Sequence, residues 1–266
     1  MFRFLKAITV LSFAAALQSC VYSVAHKPVV AAPYQPVVVS KKKEFQGSLS
    51  VRPFKYAGMD LTYAITDHFG IRASYTGTYQ FTSLSGSLIY FNNFKKLNYF
   101  VAPIYSYQNN QITRDKQNIA GSRWKSYSYN CLYNSAGIVA GVSINTNDGV
   151  SHHLNFKTQY NFVEKYNYSF EDYDEESFLK IEKLDYKIPN FFTFEPSYSL
   201  LIPTGKKSGS FFNIQLGVFI AQTTLRYTYT YTKNPSYNTS KEIARTLHPV
   251  SVPINLTITY GFSSRN

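Results

Sequence analysis

Hydrophobic and polar positions alternate along most of this chain. Met59, Leu61, Tyr63 and Ile65 interleave with Asp60, Thr62, Ala64 and Thr66; after a short turn, Ile71, Ala73, Tyr75, Tyr79 and Phe81 interleave with Arg72, Ser74, Thr76, Thr78 and Gln80. A period of two is the mark of a strand with one apolar and one polar face. The pattern recurs in Phe45, Leu49 and Val51, in Tyr99, Val101, Tyr105 and Tyr107, and in Tyr127, Tyr129, Cys131 and Tyr133. It continues in Leu154, Phe156, Tyr160 and Phe162, in Phe192 to Ile202, in Phe212 to Ile220, and in Val250 to Phe262. Near Asn134–Gly137 the phase flips, which predicts a bulge, and Ile138, Ala140, Val142 and Ile144 then carry the apolar face.

This pattern predicts about ten strands, over 44–53, 57–66, 69–81, 85–93, 97–108, 124–146, 151–170, 188–202, 210–231 and 249–262. Connections near 67–68, 94–96, 147–150 and 203–209 are short, whereas 109–123, 171–187 and 232–248 are long and polar; 54–56 and 82–84 are short turns that fall at the long-loop end. Counting up and down, the three long loops fall at one end and both termini at the other. Short turns at one rim and long loops at the other are the plan of an outer-membrane barrel. The expected fold is therefore all-β, a closed antiparallel up-and-down transmembrane β-barrel of about ten strands.

The direction of the apolar face decides between a soluble and a membrane barrel. A soluble barrel turns its polar face to water and normally loads it with Lys and Glu. Here that face is mostly Ser, Thr, Asn, Gln and Gly, with few charges: Arg52, Asp60, Arg72, Lys157, Glu195 and Arg226. Such a face suits a crowded interior, and these six are the candidate lumen charges. The opposite face carries many rings, and Tyr166, Tyr168 and Phe170, like Tyr227, Tyr229 and Tyr231, stand at strand ends where an interfacial belt forms. We therefore expect the apolar face outside. A lipid-tethered soluble barrel of lipocalin type, binding a hydrophobic ligand, and a narrow outer-membrane channel are the alternatives.

Composition agrees: 24 Tyr and 21 Phe in 266 residues favour strands. The front end adds a location. Arg3 and Lys6 precede an apolar run, Ala7 to Leu17, too short to span a bilayer as a helix and built like a secretory signal. The following Leu17-Gln18-Ser19-Cys20 resembles the bacterial lipoprotein signal. That resemblance implies removal of residues 1–19, lipid on Cys20, and, with Val21 rather than Asp next, sorting to the outer membrane. Residues 20–43 then read as a lipid-anchored linker stiffened by Pro28, Pro33 and Pro36, and 44–266 as the barrel domain.

The strand pattern, with its "TDHFG" turn, the "FTFEPSYSLLI" strand and the final "PINLTITYGF", resembles lipobox-bearing outer-membrane β-barrel proteins of Gram-negative bacteria. The resemblance implies outer-membrane lipid as a partner and an extracellular or envelope partner met through the long loops. The chain departs from the pattern at its end, "YGFSSRN", where many such barrels finish on an aromatic residue.

Candidate chemistry is sparse. His152 and His153 are adjacent in a strand and so point to opposite faces, which prevents them from sharing a metal. With Cys20 lipidated, Cys131 stands alone, leaving no disulfide and no Cys-based metal site. The run Glu171, Asp172, Asp174, Glu175 and Glu176 reads first as a solvated loop and second as a weak divalent-ion site, though it lacks the spacing of an EF-hand. The formal charge of +12 invites nucleic acid, but no recognition motif accompanies it. No cofactor, no metal and no catalysis are expected; a lipid- or peptide-modifying barrel enzyme is the minor alternative.

Overall fold

The computed structural model describes residues 34–52, 56–77, 81–94, 96–118, 123–146, 149–174, 179–187, 190–204, 209–233, 238–247 and 254–264. Side chains are described for 34–51, 57–77, 81–94, 96–111, 130–146, 149–165, 190–204, 209–220 and 256–264.

Within the described residues, alternating sequence forms strand to within a few residues of the expected bounds. Among the described residues the segments are β1 (Phe45–Arg52), β2 (Tyr56–Ala64), β3 (Phe69–Gly77), β4 (Phe81–Phe94), β5 (Leu97–Asn118), β6 (Arg123–Asn145) and β7 (Ser151–Asp174). There follow β8 (Leu179–Lys187), β9 (Phe191–Pro203), β10 (Ser210–Val218), β11 (Ile220–Lys233), β12 (Asn238–Leu247) and β13 (Ile254–Ser264). Every pairing between them is antiparallel, and β1 to β7 pair in sequence order. The ring continues from β7 to β9, β10 and β13, and closes where β13 meets β1, with Leu49 opposite Tyr260. The segments β8 with β9, β10 with β11, and β12 with β13 are successive parts of single wall strands, so the fold is a closed ten-strand up-and-down barrel. Among the described residues the ring of β1 to β7, β9, β10 and β13 has no unpaired strand, the condition for a sheet surrounded by lipid.

The apolar face points outward. Leu49, Leu61 and Phe156 are 61%, 39% and 42% exposed, while Asp60, Lys157 and Gln215 are 8%, 4% and 0% exposed. This is the inside-out distribution of a membrane barrel. Near the turn rim the outer wall carries aromatic rings in contact: Phe69 and Tyr90 lie 5.3 Å apart between centroids, Tyr90 and Tyr99 6.5 Å, and Phe212 and Tyr260 5.3 Å. Half-polar rings at that level suit a lipid–water boundary. The other ring set expected from the sequence, Tyr166 to Tyr231, lies outside the described side chains.

Three stretches expected as loops are instead strand. β5 and β6 stay paired to Asn118 and Trp124, β7 and β8 to Asp174 and Leu179, and β11 and β12 to Thr232 and Asn238. The β8–β11 and β6–β7 ladders join these hairpins into one sheet that continues the wall upward. By contrast, β1–β2 ends at Arg52 opposite Tyr56 and β3–β4 at Gly77 opposite Thr82. The wall is therefore tall along β5 to β8, β11 and β12 and low along β1 to β4. Polar composition misled the sequence reading here, because polar residues on both faces are compatible with strand once the sheet stands in water.

Two expected outward residues, Phe81 and Tyr133, turn inward, and Cys131, expected as either a buried or a lipid-facing apolar residue, is buried. Phe81 opens β4 rather than ending β3, and it is buried. Cys131 and Tyr133 are fully buried on the lumen side, where the Tyr133 hydroxyl donates to Gln108. Over 130–145, where its side chains are described, β6 keeps one phase, with Cys131, Tyr133, Ser135, Val139 and Ser143 all inside; the residue chemistry flips, not the chain. The bulge lies across the ladder in β7, where Leu132 faces Lys165 and Tyr133 faces Val163, leaving Glu164 as the extra residue.

Candidate functional site

The lumen contains part of the chain itself. Before β1, the backbone reverses at Lys41–Lys43, where Lys43 adopts φ +69°, a left-handed conformation uncommon for a residue with a side chain. The Glu44 carboxylate accepts the Ser40 and Lys41 amides at 2.5 and 3.1 Å, and the Lys43 amide donates to the Ala64 carbonyl at 2.8 Å. Residues 34–40 then run up inside the barrel, so this part of the expected linker is lumen filling.

The inner wall holds that segment with charge, amides and rings. Arg72 Nη1 donates to the Gln35 carbonyl at 2.6 Å, Nη2 to the Pro36 carbonyl at 3.1 Å, and Nε to Thr62 Oγ1 at 2.8 Å. The same guanidinium lies 4.4 Å from the centroid of the Tyr34 ring, an attractive arrangement for a cation over a π face. Gln35 Oε1 accepts from Asn213 Nδ2 at 3.1 Å and from Thr259 Oγ1 at 3.0 Å. Gln215 Nε2 donates to the Tyr34 carbonyl, and Gln46 brackets the segment by donating to the Pro36 carbonyl and accepting from the Val38 amide. A proline-containing extended chain has no internal hydrogen bonds, so these wall amides supply what it lacks.

Opposite this polar wall stands an apolar one. Tyr34 and Val39 pack into a buried cluster with Ile89, Phe91, Phe100, Ile104 and Val139. The Tyr34 and Phe100 rings stack at 5.7 Å with 21° between planes, and the Tyr34 hydroxyl lies 3.0 Å from Ser87 Oγ. Gly141 makes room for Phe100: a methyl there would collide with its ring. Burying Tyr34 and Val39 contributes on the order of 2 kcal/mol each.

The candidate lumen charges distribute around this filling. Arg72 grips it. Lys157 and Glu195 face each other across β7 and β9 and form a buried ion pair at 2.8 Å. Asp60 lines a polar cavity above Tyr34 together with Ser74, Thr76, Ser83, Ser85 and Lys157. The side chains of Arg52 and Arg226, though both residues lie in strands, fall outside the described ones, as does Cys20 altogether. His153 is buried on the inside and His152 lies on the outside, 2.7 Å from the Tyr198 hydroxyl, so the two rings diverge as expected.

The acidic run is not a loop as far as it is described. Glu171, Asp172 and Asp174 belong to β7, with Asp172 opposite Lys125 and Asp174 opposite Arg123 in the β6–β7 register; Glu175 and Glu176 lie outside the described residues. Among the described residues, no group of three or more acidic, His or Cys side chains converges as a metal site would require.

Sequence reasoning missed Tyr34, Gln35 and Pro36 as lumen residues. A signal was present. "LIYF" at 88–91, "YFVAPI" at 99–104 and "IVAGV" at 138–142 are apolar on both faces, and a strand apolar on both faces is covered on both. These three stretches form the wall against which Tyr34 and Val39 pack.

No family model matches the chain, and no curated protein matches its sequence. Among solved structures it is similar to the translocator domain of the autotransporter NalP from Neisseria meningitidis, at 10% identity over 84% of this chain and 86% of that one, with a TM-score of 0.36. That similarity is too distant to carry an assignment of role.

Proposed function

We propose that this protein is an outer-membrane β-barrel, lipid-anchored through Cys20, with a structural or surface-interaction role and no catalysis. The observation that carries this reading is the pairing of an apolar exterior with a polar interior already occupied by residues 34–40. An occupied lumen argues against an open pore. The apolar part of the inner wall is already covered by Tyr34 and Val39, and the rest is lined by Ser, Asn, Gln and a buried ion pair, which argues against a pocket for a hydrophobic ligand. What remains available to a partner is the sheet of hairpins standing above the barrel, which we assign to the extracellular side because outer-membrane barrels keep short turns on the periplasmic side. The partner classes are host surface, polysaccharide or a larger envelope complex.

Fractionation tests the location. The protein is expected in carbonate-washed outer membranes, and unboiled samples are expected to migrate differently from boiled ones on a gel. Release by carbonate, with no heat-dependent shift, would refute the membrane barrel.

A further inference from the structure

One pairing closes the barrel. Among the described residues, every other pairing in the wall joins strands consecutive along the chain, whereas β1 meets β13, with Phe45 opposite Ser264 and Val51 opposite Ile258. Bringing together residues so far apart costs more chain entropy than closing a hairpin. The seam is also short, while the β5–β6 ladder runs from Leu97 to Asn118. Its inner side carries small polar residues, Ser48 and Ser50 on β1 and Thr257 and Thr259 on β13, all buried. They offer little apolar area to hold the two strands together.

Residues 34–36 cross that seam from inside. Gln35 Oε1 accepts from Asn213 on β10 and from Thr259 on β13, two residues that face each other in the β10–β13 register. The carbonyl of the same residue accepts from Arg72 on β3, and the next carbonyl, that of Pro36, accepts from Arg72 and from Gln46 on β1. The side chain of one glutamine thus holds the last strands while its main chain holds the first ones. Tyr34 repeats the arrangement: its carbonyl accepts from Gln215 on β10, and its hydroxyl meets Ser87 on β4. The reversal at Lys41–Lys43 delivers the segment directly from β1, where the Lys43 amide donates to the Ala64 carbonyl beside the β1–β2 ladder. Only β10 and β13 need arrive for the contact to be complete. On the outside, the Phe262 ring of β13 lies over Gly47 of β1, where a methyl would come within 2.7 Å of it, and sits 5.9 Å between centroids from Phe45.

We propose that residues 34–36 are a clasp for the β1–β13 seam, with Gln35 as the residue that positions the last strands against the first. Filling the lower lumen is then a consequence of fastening the barrel. Loss of Gln35 opens the seam ahead of the rest of the wall.

Amide hydrogen exchange of the full chain in lipid vesicles tests the clasp, read on β1 and β13 against β5 and β6. Gln35→Ala removes two neutral hydrogen bonds to the last strands, and exchange at β1 and β13 is expected to quicken about tenfold or more, with β5 and β6 within about twofold of the parent protein. Val39→Ala, which takes contact from the apolar wall, is expected to show the reverse order. A disulfide between Leu49→Cys and Tyr260→Cys, facing positions on the outer side of the seam, is expected to return Gln35→Ala to the parent rates. The same bridge between Val101→Cys and Ala140→Cys, facing positions in β5–β6, is not. Cys131 is buried and stays out of both bridges. Unchanged exchange at the seam in Gln35→Ala, or a rise spread evenly over β5 and β6, would overturn the clasp. If Gln35→Ala loses the gel shift on boiling altogether, the seam bridge decides: recovery of the shift upholds the clasp, and failure with the bridge formed refutes it.

Discussion

Below Tyr34 the lumen is packed like a protein interior; above it the same strands line a polar cavity. The lower part joins an apolar wall on β4, β5 and β6 to a hydrogen-bonding wall on β1, β3, β10 and β13, with the segment 34–40 between them. The upper part carries Ser74, Thr76, Ser83, Ser85, Asp60 and Lys157 around a cavity of about 20 Å³, room for about one water. The contrast teaches that the inner face of a small barrel takes its chemistry from what stands against it. Ile89 and Phe100 are inside because Val39 and Tyr34 are there to cover them. On β3 and β4 serines take their place around the cavity, while Tyr133 and Phe191 pack against each other nearer the hairpin rim.

The largest expected effect belongs to the ion pair in the upper part. Lys157→Ala leaves the Glu195 carboxylate buried with its 2.8 Å partner removed, and breaking a buried pair from one side costs about 3–5 kcal/mol. Denaturant unfolding in lipid vesicles is expected to show that loss, and Lys157→Met with Glu195→Met is expected to recover most of it. A single substitution as mild as the double one would mean that the pair is already solvated, and the upper lumen wet to its walls.

Arg72→Ala attacks the lower part next. It removes two hydrogen bonds to the segment's carbonyls and the cation over the Tyr34 ring. Charge-assisted bonds contribute roughly 1.5–3 kcal/mol each, so a loss of about 3 kcal/mol in the hold on the segment is expected. Planar bilayers are expected to show stepwise conductance with Arg72→Ala and little with the parent protein. Arg72→Lys should be intermediate, because an ammonium keeps the charge but lacks the fork that reaches Gln35 and Pro36 together. Equal silence from Arg72→Ala would place the seal in the apolar wall instead.

Much of the barrel was legible in the chain, since a period of two identifies strands and the scarcity of charge on the polar face gives the direction of each. Leu61 and Asp60 needed nothing more. Legibility failed where a strand met something other than lipid on one side and lumen on the other. Cys131 and Tyr133 are apolar but inside, and an alternation rule cannot tell a lipid-facing ring from one packed against Phe191 at 6.4 Å. The hairpin extensions were unreadable for the opposite reason: Asn109–Asn118 and Asn238–Leu247 are mostly water-compatible residues at successive positions, and only their ladders make them strand. The lumen segment was hidden because proline suggests a solvated tether, whereas its partners, Gln46, Arg72, Asn213 and Gln215, are dispersed over three strands and meet only after closure.

The smallest effect separates the two kinds of hold on Tyr34. Tyr34→Phe keeps the ring stacked on Phe100 and under Arg72 and loses only the hydroxyl contact with Ser87. A neutral hydrogen bond of that kind contributes about 1 kcal/mol. Tyr34→Phe is therefore expected to remain closed in a bilayer, with a slight fall in its unfolding midpoint. Tyr34→Ala removes the ring from a buried cluster, at about 3–5 kcal/mol by analogy with other aromatic truncations, and is expected to leak as Arg72→Ala does. Were Tyr34→Phe to leak as freely, the hydroxyl on Ser87 would be the latch. The stacking of Tyr34 and Phe100 would then follow from the segment's position rather than cause it.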